Sequence, residues 1–426
     1  MNRPTHLEEQ LKELGPTQPH NEDTPEVPRV SGPSRRITGP FQVLGAFFSF
    51  YALTFIPSST ASAISWVGTI QSWLLIACGL ISGPLFDLGY FPTMVMAGSF
   101  FSVFGFMMLS IAHKYYAIFL SQGICMGLGF GLLYVPTVAL ISQRFSENRA
   151  VALGVATSGA PAGGIIYTVI FNQLISRVGF GWTVRIMGFV MLFLFIMAAL
   201  LLSSEGGLKS RVVSDRPRVL FDTRALKDLP FWSFTVANFL IYLGYMTPYY
   251  MIPTYAQTVL HTSRSLASYI LMASQAASIV GRVATTIFAH FYGSMISWVL
   301  CGMLSGMLCL CWISADDLPR FFVFVAFYGA ISGALVPLPP SVFPHVCPDS
   351  HSLGTWLGMA QSISSFASLV GPPIAGALAS INSGGSADLN FMGIQLFSGI
   401  TMTLGACSLI GLWYLLYRLR DKKGFF

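Results

Sequence analysis

The chain has 426 residues, 54% of them hydrophobic and 9% charged, with a net charge of +6. A soluble domain carries about 25% charged residues, so water is excluded as the main solvent. The seven cysteines show no disulfide or zinc spacing, and the basic excess forms no patch interleaved with aromatics, which argues against nucleic acid as a partner.

Residues 1–38 are polar, proline-rich and mixed in charge, and they predict a disordered cytosolic tail without a cleavable signal. Twelve apolar stretches follow. The first six run roughly Gly39–Ile56, Ile64–Phe86, Phe91–Ala112, Tyr115–Ser142, Ala150–Ile175 and Gly181–Ser203. After a charged connector come roughly Pro230–Ala256, Leu266–Phe291, Ser294–Ile313, Leu318–Phe343, Leu353–Leu378 and Phe391–Tyr417. A helix needs about 20 apolar residues to cross a bilayer, and all but the first stretch reach that length. From Phe41 to Ile56 a helix extends about 24 Å, short of a core of about 30 Å.

The expected fold is an all-α membrane protein of twelve transmembrane helices in two six-helix halves, the first helix shortened. Residues 39–203 form the N-terminal half, 204–229 a cytosolic connector, 230–418 the C-terminal half and 419–426 a cytosolic tail. With both termini inside, cytosolic segments hold 17 of the 23 Lys and Arg residues and outer loops hold four, the asymmetry that sets such a topology. The remaining two, Arg185 and Arg282, fall inside apolar stretches.

Leu153-Gly154-Val155-Ala156 in the fifth span returns as Leu357-Gly358-Met359-Ala360 in the eleventh. Two halves repeated about an axis along the membrane normal place a binding site between them near the midplane.

Arg282 carries the strongest chemical signal. It lies nine residues before Phe291, about 14 Å into the membrane, where an arginine needs a cavity or a partner. Gln275, Ser278, Thr285 and Thr286 share its helical face. In the seventh span Thr235, Asn238, Tyr242, Tyr245 and Tyr249 form a second polar and aromatic stripe, suited to an anion with an apolar body. Gln361, Ser365 and Ser368 make a weaker third one. None of the 17 Asp and Glu residues lies inside a span, so no buried carboxylate relay is available. His345, Cys347 and His351 imitate a metal site but lack further ligands, and no metal, cofactor or enzymatic chemistry is expected.

Three segments carry a family resemblance. They are Ile64–Gln71 with Ser82–Phe91, Arg149-Ala150-x-Ala152-Leu153-Gly154-x-Ala156-x-x-Gly159-x-x-x-Gly163, and Gly354–Ala360 with Gly371–Gly376. Together they resemble the fungal monocarboxylate-porter branch of the major facilitator superfamily. The resemblance implies a secondary transporter in the plasma membrane, rocking about a central site. It gives Arg282 the role of binding a substrate carboxylate. The aspartate that animal members use for proton coupling is not carried over, because Ser278 occupies its position. It makes Asp87 a gating residue, pairing with Arg144 or Arg149 or capping a helix, although Leu88 replaces the usual basic neighbour. His290 stands where the second half usually has the matching acid.

The function expected is transport of an organic anion or carboxylate-bearing metabolite, with export of a fungal secondary metabolite favoured. Its expected partners are that small molecule and the lipid bilayer. Candidate substrate residues are Arg282, Gln275, Ser278, Asn238, Tyr242 and Tyr245; candidate gating residues are Asp87, Arg144, Arg149 and His290. Uptake of small monocarboxylates or a vitamin, and a non-transporting sensor on the same fold, stay open.

Overall fold

The computed structural model describes residues 61–145, 148–204, 222–347, 352–381 and 391–422. The expected first span, the N-terminal tail, most of the connector and His351 lie outside these residues. Every regular element among them is helical. In hydrocarbon each backbone N–H and C=O must be satisfied inside its own segment, and a helix does this without a partner strand.

Nine segments among the described residues are long and apolar enough to cross a membrane. One of them, Arg149–Ser203, has 55 residues, far more than one crossing uses. Its helix Gly159–Ser204 turns at Gly179, whose φ of 75° is open to glycine, with no atom near the position of a Cβ. The segment therefore supplies both the fifth and the sixth span. With the 29-residue helix Leu353–Ile381 the described chain accounts for the second to the twelfth expected span. Gly293, at φ 94°, makes the same kind of reversal between the eighth helix, Arg264–Tyr292, and the ninth, Ser294–Cys311.

Apolar side chains gain little by leaving lipid for a protein interior, so the helices adhere through small residues that let backbones approach. Within the first half, Gly127 and Gly131 of the fourth span sit against Leu74 and Cys78 of the second, and Gly129 against Ser102 of the third. In the second half, Gly281 and Gly329 bring the eighth and tenth spans together, while Gly244 and Gly405 do so for the seventh and twelfth. Large side chains such as Met96, Phe100, Phe193 and Phe291 are exposed on the outside of the bundle, where acyl chains lie.

The halves meet along two helix pairs. The second span, Ala61–Ala77 and Gly79–Asp87, packs on the eleventh, and the fifth packs on the eighth. At the first crossing a Cβ on Gly83 would collide with the Gly354 carbonyl, and one on Gly358 with the Gly79 carbonyl. At the second, Gly154 accommodates the side chain of Thr286. Both crossings lie toward the end of the bundle that carries Asp87, Arg149 and His290.

Candidate functional site

Arg282 lies well inside the eighth helix, which Ser263 starts by accepting from the Leu266 N–H at 3.3 Å. Its side chain is 1% exposed. The guanidinium Nη1 donates to the backbone carbonyl of Thr157 in the fifth span, 2.5 Å away, and Nε has no partner. The ion pair among the described residues, Arg320 with Asp317, is at the surface and does not involve it. A cation is thus buried at the interface of the halves with a neutral acceptor at Nη1 and no partner at Nε.

Beside it is a cavity of about 60 Å³. Ser72, Leu75 and Ile76 of the second span, Tyr134 of the fourth, and Thr157 and Ala160 of the fifth form one wall. Tyr242, Tyr245 and Met246 of the seventh span, Arg282, Val336 and Ser368 form the other. The wall is mostly aromatic and aliphatic, with hydroxyls and one positive charge. The Ser72 and Tyr250 hydroxyls hydrogen-bond at 3.2 Å, bridging the halves a short way along. Two waters would fill this space, whereas small-molecule sites hold roughly 300–1,000 Å³, so a metabolite can enter only if the walls separate. A larger groove of about 450 Å³, lined by Trp232, Val236 and Gly411 on the seventh and twelfth spans, offers no charged group.

The candidate residues divide between cavity and packing. Arg282, Tyr242 and Tyr245 line the cavity together. Asn238 is fully buried, and its Nδ2 donates to Oε1 of Gln361 at 3.3 Å; it is not among the lining residues. Gln275 and Ser278 are buried with Oε1 and Oγ unpartnered, and Ser278 packs against Gly333 of the tenth span rather than on the cavity. Tyr249 bonds Ser332 at 3.0 Å. Tyr134 and Thr157 did not stand out in the sequence. A lone tyrosine on an apolar helix gives no stripe, and Thr157 contributes through its main chain.

Among the candidate gating residues, Asp87 accepts from Gly354 N at 3.2 Å, Thr355 N at 2.7 Å and Thr355 Oγ1 at 2.8 Å. It caps the first turn of the eleventh span from the opposite half. Arg149 donates from Nε to the Ser142 carbonyl at 2.9 Å, within its own half. Arg144 ends the fourth helix and is half-buried. His290 is exposed, its ring against Phe291. Arg185 donates to Ser110 at 3.1 Å and lies over the Trp182 ring, remote from the cavity. His345 contacts the Val342 carbonyl, and no group of three potential metal ligands occurs among the described residues.

Solved structures of the same fold include the human organic anion transporter MFSD10, with a TM-score of 0.65 at 15% identity, covering 86% of this chain and 89% of that one. A bacterial homologue of the iron transporter ferroportin, in an outward-facing state, has a TM-score of 0.67 at 13% identity over 89% of this chain and 98% of that one. The MFS-type transporter dbaD of Emericella nidulans is 34% identical over 85% of this chain and 80% of its own length. The aspyridones efflux protein apdF of the same fungus is 32% identical over 88% and 74%. The agnestins efflux protein AgnL12 of Paecilomyces divaricatus is 30% identical over 99% and 94%. The sequence profile of the Major Facilitator Superfamily matches residues 40–318, about two thirds of the chain, and with these relatives it makes the protein a member of that superfamily of transporters.

Proposed function

We propose that this chain is a secondary active carrier that exports an acidic, partly apolar metabolite across the plasma membrane, with both termini in the cytosol. The observation that carries the reading is Arg282, a buried guanidinium whose Nε has no partner, in the wall of an aromatic cavity shared by both halves. An ionised carboxylate placed there receives charge-assisted hydrogen bonds in a low-dielectric surrounding. Tyr134, Tyr242 and Tyr245 offer ring faces to its apolar body. The efflux named for two of the relatives supports the outward direction, and the concentration of Lys and Arg on one side supports the orientation.

In this reading the contracted cavity belongs to a state closed at the cytosolic end. The Asp87 cap and the glycine crossings hold that closure, and they separate when the halves rock. The test is transport of a panel of labelled aromatic and aliphatic carboxylates in vesicles, comparing the native protein with Arg282→Ala and Arg282→Lys at equal membrane levels. Both variants should lose carboxylate transport by roughly ten- to a hundredfold, the worth of a hydrogen bond to a charged group. Lysine keeps the charge but not the fork. Unchanged transport in both would remove Arg282 from the substrate site.

A further inference from the structure

We infer that Pro161 is a positioning residue of the anion site: it leaves the Thr157 carbonyl without a helical donor, and that carbonyl anchors one arm of Arg282 in the wall of the cavity. The inference rests on the reading of Arg282 as the anion-binding group.

In a continuous helix the Thr157 carbonyl would accept from the N–H of residue 161. Proline has none. The fifth span is interrupted at this point, with one helix ending at Thr157 and the next starting at Gly159, and the ladder resumes with Ala162 N on the Ser158 carbonyl at 3.3 Å. A carbonyl left open in a buried interface needs a donor. Nη1 of Arg282 supplies it across 125 residues of sequence and across the two halves.

The same bond fixes the guanidinium plane. With Nη1 held by the fifth span, Nε remains a buried donor without a protein partner. Thr286, one turn after Arg282, is held by Gly154, nearly one turn before Thr157, so the anchor and the close helix contact belong to one crossing. The arginine is oriented only while that crossing is closed. Separation of the fifth and eighth spans therefore loosens the anion site as well as the wall, which ties release to the rocking of the halves.

The test is a mutant cycle on the substrate-free protein, read by distances between spin labels at Ile166 and Val280, which are exposed on the fifth and eighth spans. In a cysteine-free background, Pro161→Ala gives residue 161 an N–H and returns Thr157 to its own helix. The expected result is a shift of the distance distribution toward separated spans. Arg282→Met should give the same shift, and the double variant no more than either alone, because both remove one bond. Pro161→Gly restores the same N–H and stands in if the alanine variant fails to insert. In the vesicle panel, Pro161→Ala should raise KM about tenfold while leaving the maximal rate near native. A native-like distance distribution in both proline variants, or shifts that add in the double variant, overturns the anchor. Intact transport in Arg282→Ala with a non-additive cycle would instead overturn the substrate reading while keeping the anchor.

Discussion

The first turn of a helix leaves N–H groups open, and its dipole favours a negative charge. Asp87 meets both conditions for the eleventh span while belonging to the second, through Gly354 N, Thr355 N and Thr355 Oγ1. A cap of this kind contributes about 1 kcal/mol, occasionally 2. Here the whole contribution favours the state in which the halves touch at this end. Asp87→Ala should thus shift the equilibrium toward the separated state by roughly five- to thirtyfold. Thr355→Val, which keeps the backbone donors, should shift it less. The check is labelling of a cysteine placed at Thr355, which keeps the backbone donor to Asp87, is buried when the end is closed and becomes reactive when it opens. Equal labelling in native-background and Asp87→Ala proteins would remove the gating role.

At the scale of helices the decisive contacts are those where two backbones touch. Gly83, Gly354 and Gly358 leave no room for a methyl group between the second and eleventh spans. Gly358→Ala should insert and fold, since each half keeps its own packing, but it should not close at the Asp87 end. Transport should fall at least tenfold, and protease or cysteine access at that end should rise. Gly411→Ala in the twelfth span, where a Cβ meets nothing within 4 Å, is the control and should transport normally. The spans themselves were legible from apolar length, because lipid admits so few alternatives. Which face of a span lines the cavity was less legible. Gln275 and Ser278 share a helical face with Arg282 by spacing, yet Gly333 of the tenth span brings that helix against Ser278. The neighbour decides, and spacing within one helix does not reveal the neighbour. The acceptor for Arg282 escaped notice for another reason: it is a main-chain oxygen, and its sequence signal was Pro161, a residue that removes a donor.

For the whole molecule, fold and family follow from features spread along the chain, while the proposed anion binding rests on one charged side chain between the halves. No Asp or Glu lies in the interior of any apolar stretch of the sequence, and Asp87 stands at the end of the second span. An empty site therefore carries about one positive charge, and a site loaded with a monoanion carries none. Moving one charge through the full membrane field changes its energy by about 2.3 kcal/mol per 100 mV. Net transport, which requires the empty carrier to return, should accelerate when the cytosol is made negative; exchange of labelled for unlabelled anion should not respond. Vesicles with a potassium gradient and valinomycin can measure both, and voltage-independent net transport would refute this assignment of charge. The lack of a buried acid beside Arg282 thus has an electrical consequence. A cell with a negative interior pulls the vacant cationic site back toward the cytosol and leaves the neutralised one free to move outward, so the membrane potential itself would run the cycle in the direction of export.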